Sequence, residues 1–193
     1  MINLVEKLDR LRDRNLELPH FREISDHIAN ELLTRFLFRI FGVFNKLPTP
    51  IIILRAGLVF QSSIMKLMPT VKIGMLGIRR DEITATPSTY SIKIPDLCND
   101  QAFVILDPML ATGGSAVMAV DLLRNQYSMK FRKPLNCKNV FFCGFVAAPE
   151  GVSNLTGRIP KENIHYISLD AGLDSKKFII PGLGDFGDRY FGT

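Results

Sequence analysis

The chain is poor in cysteine, and its three thiols follow no pattern. Cys98, Cys137 and Cys143 form no C-x-x-C pair, and no Cys/His spacing suits a zinc site. An odd number of thiols without a framework excludes a disulfide scaffold and suits a reducing compartment. Cys143, inside VFFCGFV, is expected in the core. Long apolar runs are missing as well: none reaches the roughly 18 residues that cross a membrane. The N-terminus MINLVEKLDRLRDRN carries early acids and lacks a signal-peptide core. A soluble, intracellular protein is expected, cytoplasmic or in the stroma or matrix of an organelle. Basic tracts are also absent. The densest groups are Arg79–Arg80, Lys130/Arg132/Lys133 and Lys176–Lys177. For the last two, a solvated surface is the expected role, and nucleic acid is not an expected partner. The net charge of +5 still suits an anionic ligand. There are no internal repeats and no low-complexity linker. At 193 residues, 47% hydrophobic and 22% charged, the chain is expected to form one domain, residues 1–193, with a sizeable core.

Two familiar phosphate loops are also lacking. No lysine follows a glycine pair in the manner of G-x-x-x-x-G-K-[ST], and no G-x-G-x-x-G opens a helix. What is present instead is AFVILDPMLATGGS, residues 102–115. A short apolar run ends in Asp107, a loop of small residues follows, and a helical pattern runs from Ala116 to Arg124. A strand–loop–helix of this kind aims backbone N–H groups at a helix N-terminus, where they can hold a phosphate. Gly113 and Gly114 allow close approach of the backbone, Thr112 and Ser115 add hydroxyls, and Asp107 can accept from two neighbouring hydroxyls. A phosphate cradle beside a diol acceptor suits a ribose 5-phosphate. The plain alternative is a βα turn whose glycines serve only packing.

The rest of the chain alternates strand and helix signals. Residues 3–14 and 19–45 read as helices, the second ending before Pro48 and Pro50. Its apolar stretch Leu32–Phe44 suits packing on a sheet or a dimer interface. Strands are expected at 51–54, 71–77, 102–106, 139–146 and 163–169, with helices after 58 and after 147. Residues 79–95, polar and proline-bearing, read as a flap. The expected fold is α/β, a central, mostly parallel sheet flanked by helices. Its ligands belong at the C-terminal edge of the strands.

Four segments carry a resemblance. DPMLATGGS resembles the phosphoribosyl pyrophosphate (PRPP) loop of the uracil phosphoribosyltransferase family, with Pro108 where many related enzymes carry a second acid. ILRAGL (53–58), RRDE (79–82) and IIPGLGDFGDRYFGT (179–193) match further segments of that family in the same order. The resemblance implies a phosphoribosyltransferase-like fold with a flap after RRDE and a C-terminal hood over the base. It implies transfer of phosphoribose from PRPP to uracil, giving UMP and pyrophosphate, with Mg²⁺ carried through PRPP phosphates. By resemblance, Arg55, Arg80, Asp107, Pro108, Met109, Leu110, Ala111, Thr112, Gly113, Gly114, Ser115 and Asp185 bind PRPP. Ile179, Gly184, Asp185 and Phe186 line the uracil site. Arg55, Asp107 and Asp185 are the catalytic candidates, and no dedicated metal cage is expected. Tyr90 is a candidate cover for the base. His20, His27 and His165 lie in no recognised motif. A homo-oligomer is implied, with activation by GTP left open.

Three departures stand out. The short link NKLPTP replaces a longer arm that contributes dimer contacts. The flap ITATPSTYSIKIPD differs from the common acidic version. Phe186 replaces a usual bacterial alanine, and a larger side chain there can narrow the base pocket. The alternative function is a non-catalytic or regulatory, nucleotide- or RNA-binding homologue on the same scaffold.

Overall fold

Alternation within the apolar runs decides the architecture. The computed structural model describes residues 3–41, 47–80 and 87–193, without the side chains of Phe41, Arg80 and Pro87. Its main sheet contains β1 (Thr49–Leu54), β2 (Gly74–Arg80), β3 (Pro87–Lys93), β4 (Phe103–Leu106), β6 (Val140–Cys143) and β8 (Ile164–His165), in the order β3-β2-β1-β4-β6-β8. All neighbours are parallel except the β2–β3 pair. Side chains point alternately to the two faces of a strand. Ile52, Val104, Leu106, Phe141 and Cys143 enter one core; Ile51, Ile53, Phe103, Ile105 and Phe142 enter the other. Each fully buried side chain of this size contributes about 1.5–3 kcal/mol relative to exposure. The first core is closed by α1 (Leu4–Arg12), α2 (Leu18–Phe41) and α3 (Gln61–Leu67). The second is closed by α4 (Gly114–Phe131) and α5 (Pro149–Thr156). A one-residue slip of any central strand would exchange these two sets.

Several boundaries differ from the sequence reading. The α4 helix runs on to Phe131, where Arg132 ends it in the left-handed region at φ 55°. The expected helix after residue 58 is a 3₁₀ turn, Ala56–Phe60, followed by α3. Strand β2 starts three residues later than expected and continues through Arg80, so Arg79 lies inside a strand rather than after one. Part of the expected flap is β3, which pairs antiparallel with β2. Pro87 opens this edge strand, a place where a missing N–H does little harm. Residues 42–46 and 81–86, the end of the long helical reading and the rest of the flap, lie outside the described residues.

The runs 139–146 and 163–169 each split in two. The reason is a shared corner. Strand β4 bends at Asp107–Pro108 into β5 (Met109–Leu110), β6 bends at Gly144–Phe145 into β7 (Val146–Ala147), and β8 bends into β9 (Ser168–Leu169). The second halves form a small parallel sheet, β5-β7-β9, that repeats the order of the first halves. Backbone bonds stitch the corner: Asp107 N–H donates to Cys143 O at 3.3 Å and Phe145 N–H to Pro108 O at 2.9 Å. Gly144 is needed here, because a Cβ would meet Asp107 O at 2.5 Å. The corner puts Asp107 at the mouth of the sheet's C-terminal edge.

A hood follows, made of the hairpin β10 (Gly172–Leu173) and β11 (Ile179–Ile180) and the helix α6 (Phe186–Phe191). The first helix holds it. An Asn3/Glu6 capping box starts α1. From its last turn, Arg12 grips buried Asp170 by two bonds, Nη1 to Oδ2 at 2.7 Å and Nη2 to Oδ1 at 2.8 Å. Asp170 also accepts from Gly182 N–H at 2.9 Å and from the Ser168 hydroxyl at 2.8 Å. Burial alone would raise the Asp170 carboxyl; the donors, led by Arg12, outweigh it and hold its pKa below the usual value. Arg189 donates to Leu11 O at 2.6 Å and Leu183 O at 2.7 Å. Tyr190 donates to Asp26 at 2.6 Å, tying α6 to α2.

Candidate active site

The C-terminal edge of the main sheet opens into a cleft of about 930 Å³. Its floor comes from the end of β1 and the corner after β4. One wall comes from β2 and β3, and the hood forms the other.

Within the loop after β4, alternation sorts the predicted PRPP residues. Asp107, Met109, Ala111 and Ser115 line the cleft. Pro108 and Leu110 do not: both are buried on the other side, where their carbonyls accept from Phe145, Val146 and Ala148 N–H groups. Thr112, Gly113 and Gly114 turn the chain into α4. Gly113 caps α4 at φ 79°, a conformation that L side chains rarely adopt. Asp107 Oδ1 accepts from Met109 N–H at 3.2 Å, which fixes the carboxylate at the corner.

Helix α5 presses on this loop from behind, a contact that sequence reasoning missed. Asn154 Nδ2 donates to Thr112 O at 3.0 Å. Gly151 lies so close that an added Cβ would stand 2.6 Å from Leu110 O and nearer still to Ala111 O. A glycine inside a helix, away from either cap, was the available signal for such an approach.

Arg55 follows β1 across a cis Leu54–Arg55 peptide and reaches the cleft half-exposed. Its Nη2 donates to Asp188 Oδ1 at 2.7 Å and its Nη1 to Thr193 Oγ1 at 3.3 Å. A ligand anion that took Arg55 would therefore compete with Asp188. Arg79 stands on the opposite wall; the side chain of Arg80, the predicted ligand, lies outside the described residues. Tyr90 is 54% exposed and lines the cleft. It is the extra residue of a β-bulge, because Gly77 pairs with Ser91 and Ile78 with Thr89. A bulge of this kind re-aims a side chain.

From the hood, Ile179, Gly184, Asp185 and Phe186 all reach the cleft wall. Asp185 also caps α6, accepting from Asp188 N–H at 2.9 Å. The Phe186 ring is only 2% exposed. It turns into the core, 5.3 Å from the Phe21 ring, 5.5 Å from Phe145 and stacked on Tyr190 at 5.8 Å. Its bulk therefore fills the wall from behind rather than narrowing the pocket. Lys176 and Lys177 are exposed, as expected of a solvated surface, and with Phe178 they also line the cleft edge. Lys133, by contrast, pairs with Asp100 at 3.3 Å on the surface.

Cys143 is buried, and burial pushes its thiol up, out of reach of thiolate chemistry. Among the described residues, no group of His, Cys, Asp or Glu side chains forms a metal cage, and no helix is long and apolar enough to cross a membrane.

A mostly parallel sheet with an acid-ended, glycine-bearing loop at its C-terminal edge and a hood above defines a phosphoribosyltransferase fold. The adenine phosphoribosyltransferase of Giardia lamblia, solved with 9-deazaadenine, shares that fold at 12% identity with a TM-score of 0.54, covering 72% of this chain and 78% of its own. The AQ2163 protein from Aquifex aeolicus is more similar, at 29% identity and a TM-score of 0.82 over 98% of this chain and 94% of that one. The family model for uracil phosphoribosyltransferase matches residues 43–193. The uracil phosphoribosyltransferase of Listeria welshimeri serovar 6b is 38% identical over 203 residues, covering 97% of this chain and 93% of the relative. The chain belongs to the uracil phosphoribosyltransferase family.

Proposed function

We propose that the protein transfers the 5-phosphoribosyl group of PRPP to uracil, releasing UMP and pyrophosphate. The observation that supports this most is the convergence of Asp107, Ser115, Arg55, Arg79 and the 184–188 segment on one cleft. In the reaction the C1–O bond to pyrophosphate breaks as the uracil nitrogen arrives, with positive charge on the ribose and negative charge on the leaving group. Catalysis of such a step rests on positioning and on charge stabilisation. Asp107 holds the ribose hydroxyls and sits where a carboxylate also favours the cationic sugar. The loop 111–115 and the start of α4 hold the 5-phosphate. Arg55 leaves Asp188 and grips the pyrophosphate through paired N–H bonds.

Uracil presents an acceptor–donor–acceptor edge. The segment around Gly184 reads it through backbone groups, with Ile179 and the wall at Phe186 against the ring. A backbone N–H at O4 meets the amino group of cytosine with no acceptor, and discrimination of this kind reaches about 10⁴ or more. Mg²⁺ fits the donor set, since Asp107, Asp185 and Asp188 are the carboxylates of the described cleft lining and this ion binds through substrate phosphates, few carboxylates and water. When bound it neutralises phosphate charge. We read residues 1–193 as one cytoplasmic domain that self-associates through α2, where Phe38 stands 82% exposed. The test is Asp107→Ala. Loss of UMP formation with the fold retained, read by circular dichroism, is expected; retained turnover would remove Asp107 from its role.

A further inference from the structure

We propose that Lys176 and Lys177 recruit and hold the phosphates of PRPP from the hood side of the cleft. The proposal rests on the transferase reading above. Both lysines sit at the tip of the β10–β11 hairpin, and both line the cleft. The tip is built to present them. Asp174 Oδ1 accepts from Lys176 N–H and from Phe178 N–H, each at 2.8 Å. Lys177 N–H donates to Asp174 O at 3.0 Å, and Asp174 N–H donates to Phe178 O at 2.8 Å.

The backbone argues that the Lys177 side chain has a use. Its φ is 66°, in the left-handed region, where glycine is unstrained and any L side chain is disfavoured. A turn needing only closure is served better by glycine. Neither lysine forms an ion pair among the described residues.

Charge at the cleft points the same way. The described lining carries the acids Asp107, Asp185 and Asp188 and the cations Arg55, Arg79, Lys176 and Lys177. Arg55 is engaged by Asp188. Without the two lysines, acids outnumber cations among the described residues that line a site for a polyanion. With them the lining is net positive, which attracts the substrate and does so less at high salt.

Lys177→Gly and Lys176→Gln/Lys177→Gln test this through PRPP kinetics, thermal melting and PRPP calorimetry. Lys177→Gly is expected to melt above wild type while its KM for PRPP rises about 5-fold, the size of one exposed charge contact. The double variant is expected to lose more affinity and to show a flatter salt dependence of kcat/KM for PRPP, with the KM for uracil unchanged. A gain in melting temperature with unchanged PRPP affinity and salt slope would overturn the proposal. Wild-type turnover of uracil is the separate control on the transferase reading. Were that control to fail, calorimetry of PRPP on the same three proteins would still decide the lysines' role, and equal affinities would reject it.

Discussion

Removing Arg12 is the sharpest test of how the hood is held. Asp170 is 6% exposed and accepts two bonds from Arg12. In Arg12→Met the carboxylate stays buried, with only Gly182 N–H and the Ser168 hydroxyl as partners. Breaking a buried pair from one side costs about 3–5 kcal/mol, because the stranded charge has lost both water and partner. Arg12 keeps some exposure, so the lower end applies, about 3 kcal/mol. For a chain of 150–250 residues that corresponds to a fall of about 6–12 °C in melting temperature. The damage should be directional. Asp170 and Gly182 lead straight into Gly184 and Asp185, so the KM for uracil should rise several-fold. The double variant Arg12→Met/Asp170→Asn removes the stranded charge while keeping an acceptor for Gly182, and should recover much of the lost stability. Differential scanning calorimetry on the three proteins reads the stabilities, and initial-rate kinetics with varied uracil read the KM. A single variant that melts with wild type, or a double variant less stable than the single, would refute the reasoning.

Other consequences follow from neighbouring contacts. Gly151→Ala forces a methyl against the Leu110 and Ala111 carbonyls, an overpacking that costs about 1–3 kcal/mol and should raise the KM for PRPP by displacing the loop. Asp188→Asn removes the carboxylate charge that holds Arg55 in the ligand-free site. PRPP affinity should improve about 2–5-fold with little change in stability, since an exposed pair is worth at most about 1 kcal/mol; weaker PRPP binding would count against the competition. His165, packed against Phe36 and Phe141, has its pKa lowered to about 4 by burial and then by Arg39. The unfolded state therefore binds more protons between about pH 4 and 6.5, and stability should fall as pH drops through that window. The lowered Asp170 carboxyl adds a further loss at still lower pH, as it protonates. In His165→Phe, urea midpoints between pH 6.5 and 4 should lose much of their slope.

The sheet was legible because its strands are short apolar runs bounded by turn residues: IIIL, AFVIL and NVFFCGFV need no partner information to be read, although the split of the last into two strands does. The strand–loop–helix around Asp107 was legible for the same reason, since an acid ending one such run and a glycine pair opening the next helix are local signals. The flap was less so. Strand β3 is polar, exposed and opened by Pro87, so nothing in its period marks it, and its pairing to β2 supplies the order. The hood's restraints lay beyond local reading altogether. Arg12 and Asp170 are far apart in the chain, and neither belongs to a motif. Lys176 and Lys177 read as a solvated pair, and both are exposed; that they also line the cleft follows only from where the β10–β11 hairpin is placed. Phe186 resembled a pocket-filling residue because the sequence does not show which way a ring turns at a helix start; Phe21, Phe145 and Tyr190 draw it into the core.

The most direct test of the central claim is UMP formation from PRPP, Mg²⁺ and labelled uracil, with cytosine, orotate, hypoxanthine and adenine run in parallel. Turnover with uracil alone is the predicted result, because under the proposed function the Gly184 segment reads the acceptor–donor–acceptor edge. Equal turnover with cytosine, or none with uracil in a folded protein that binds PRPP, would contradict it.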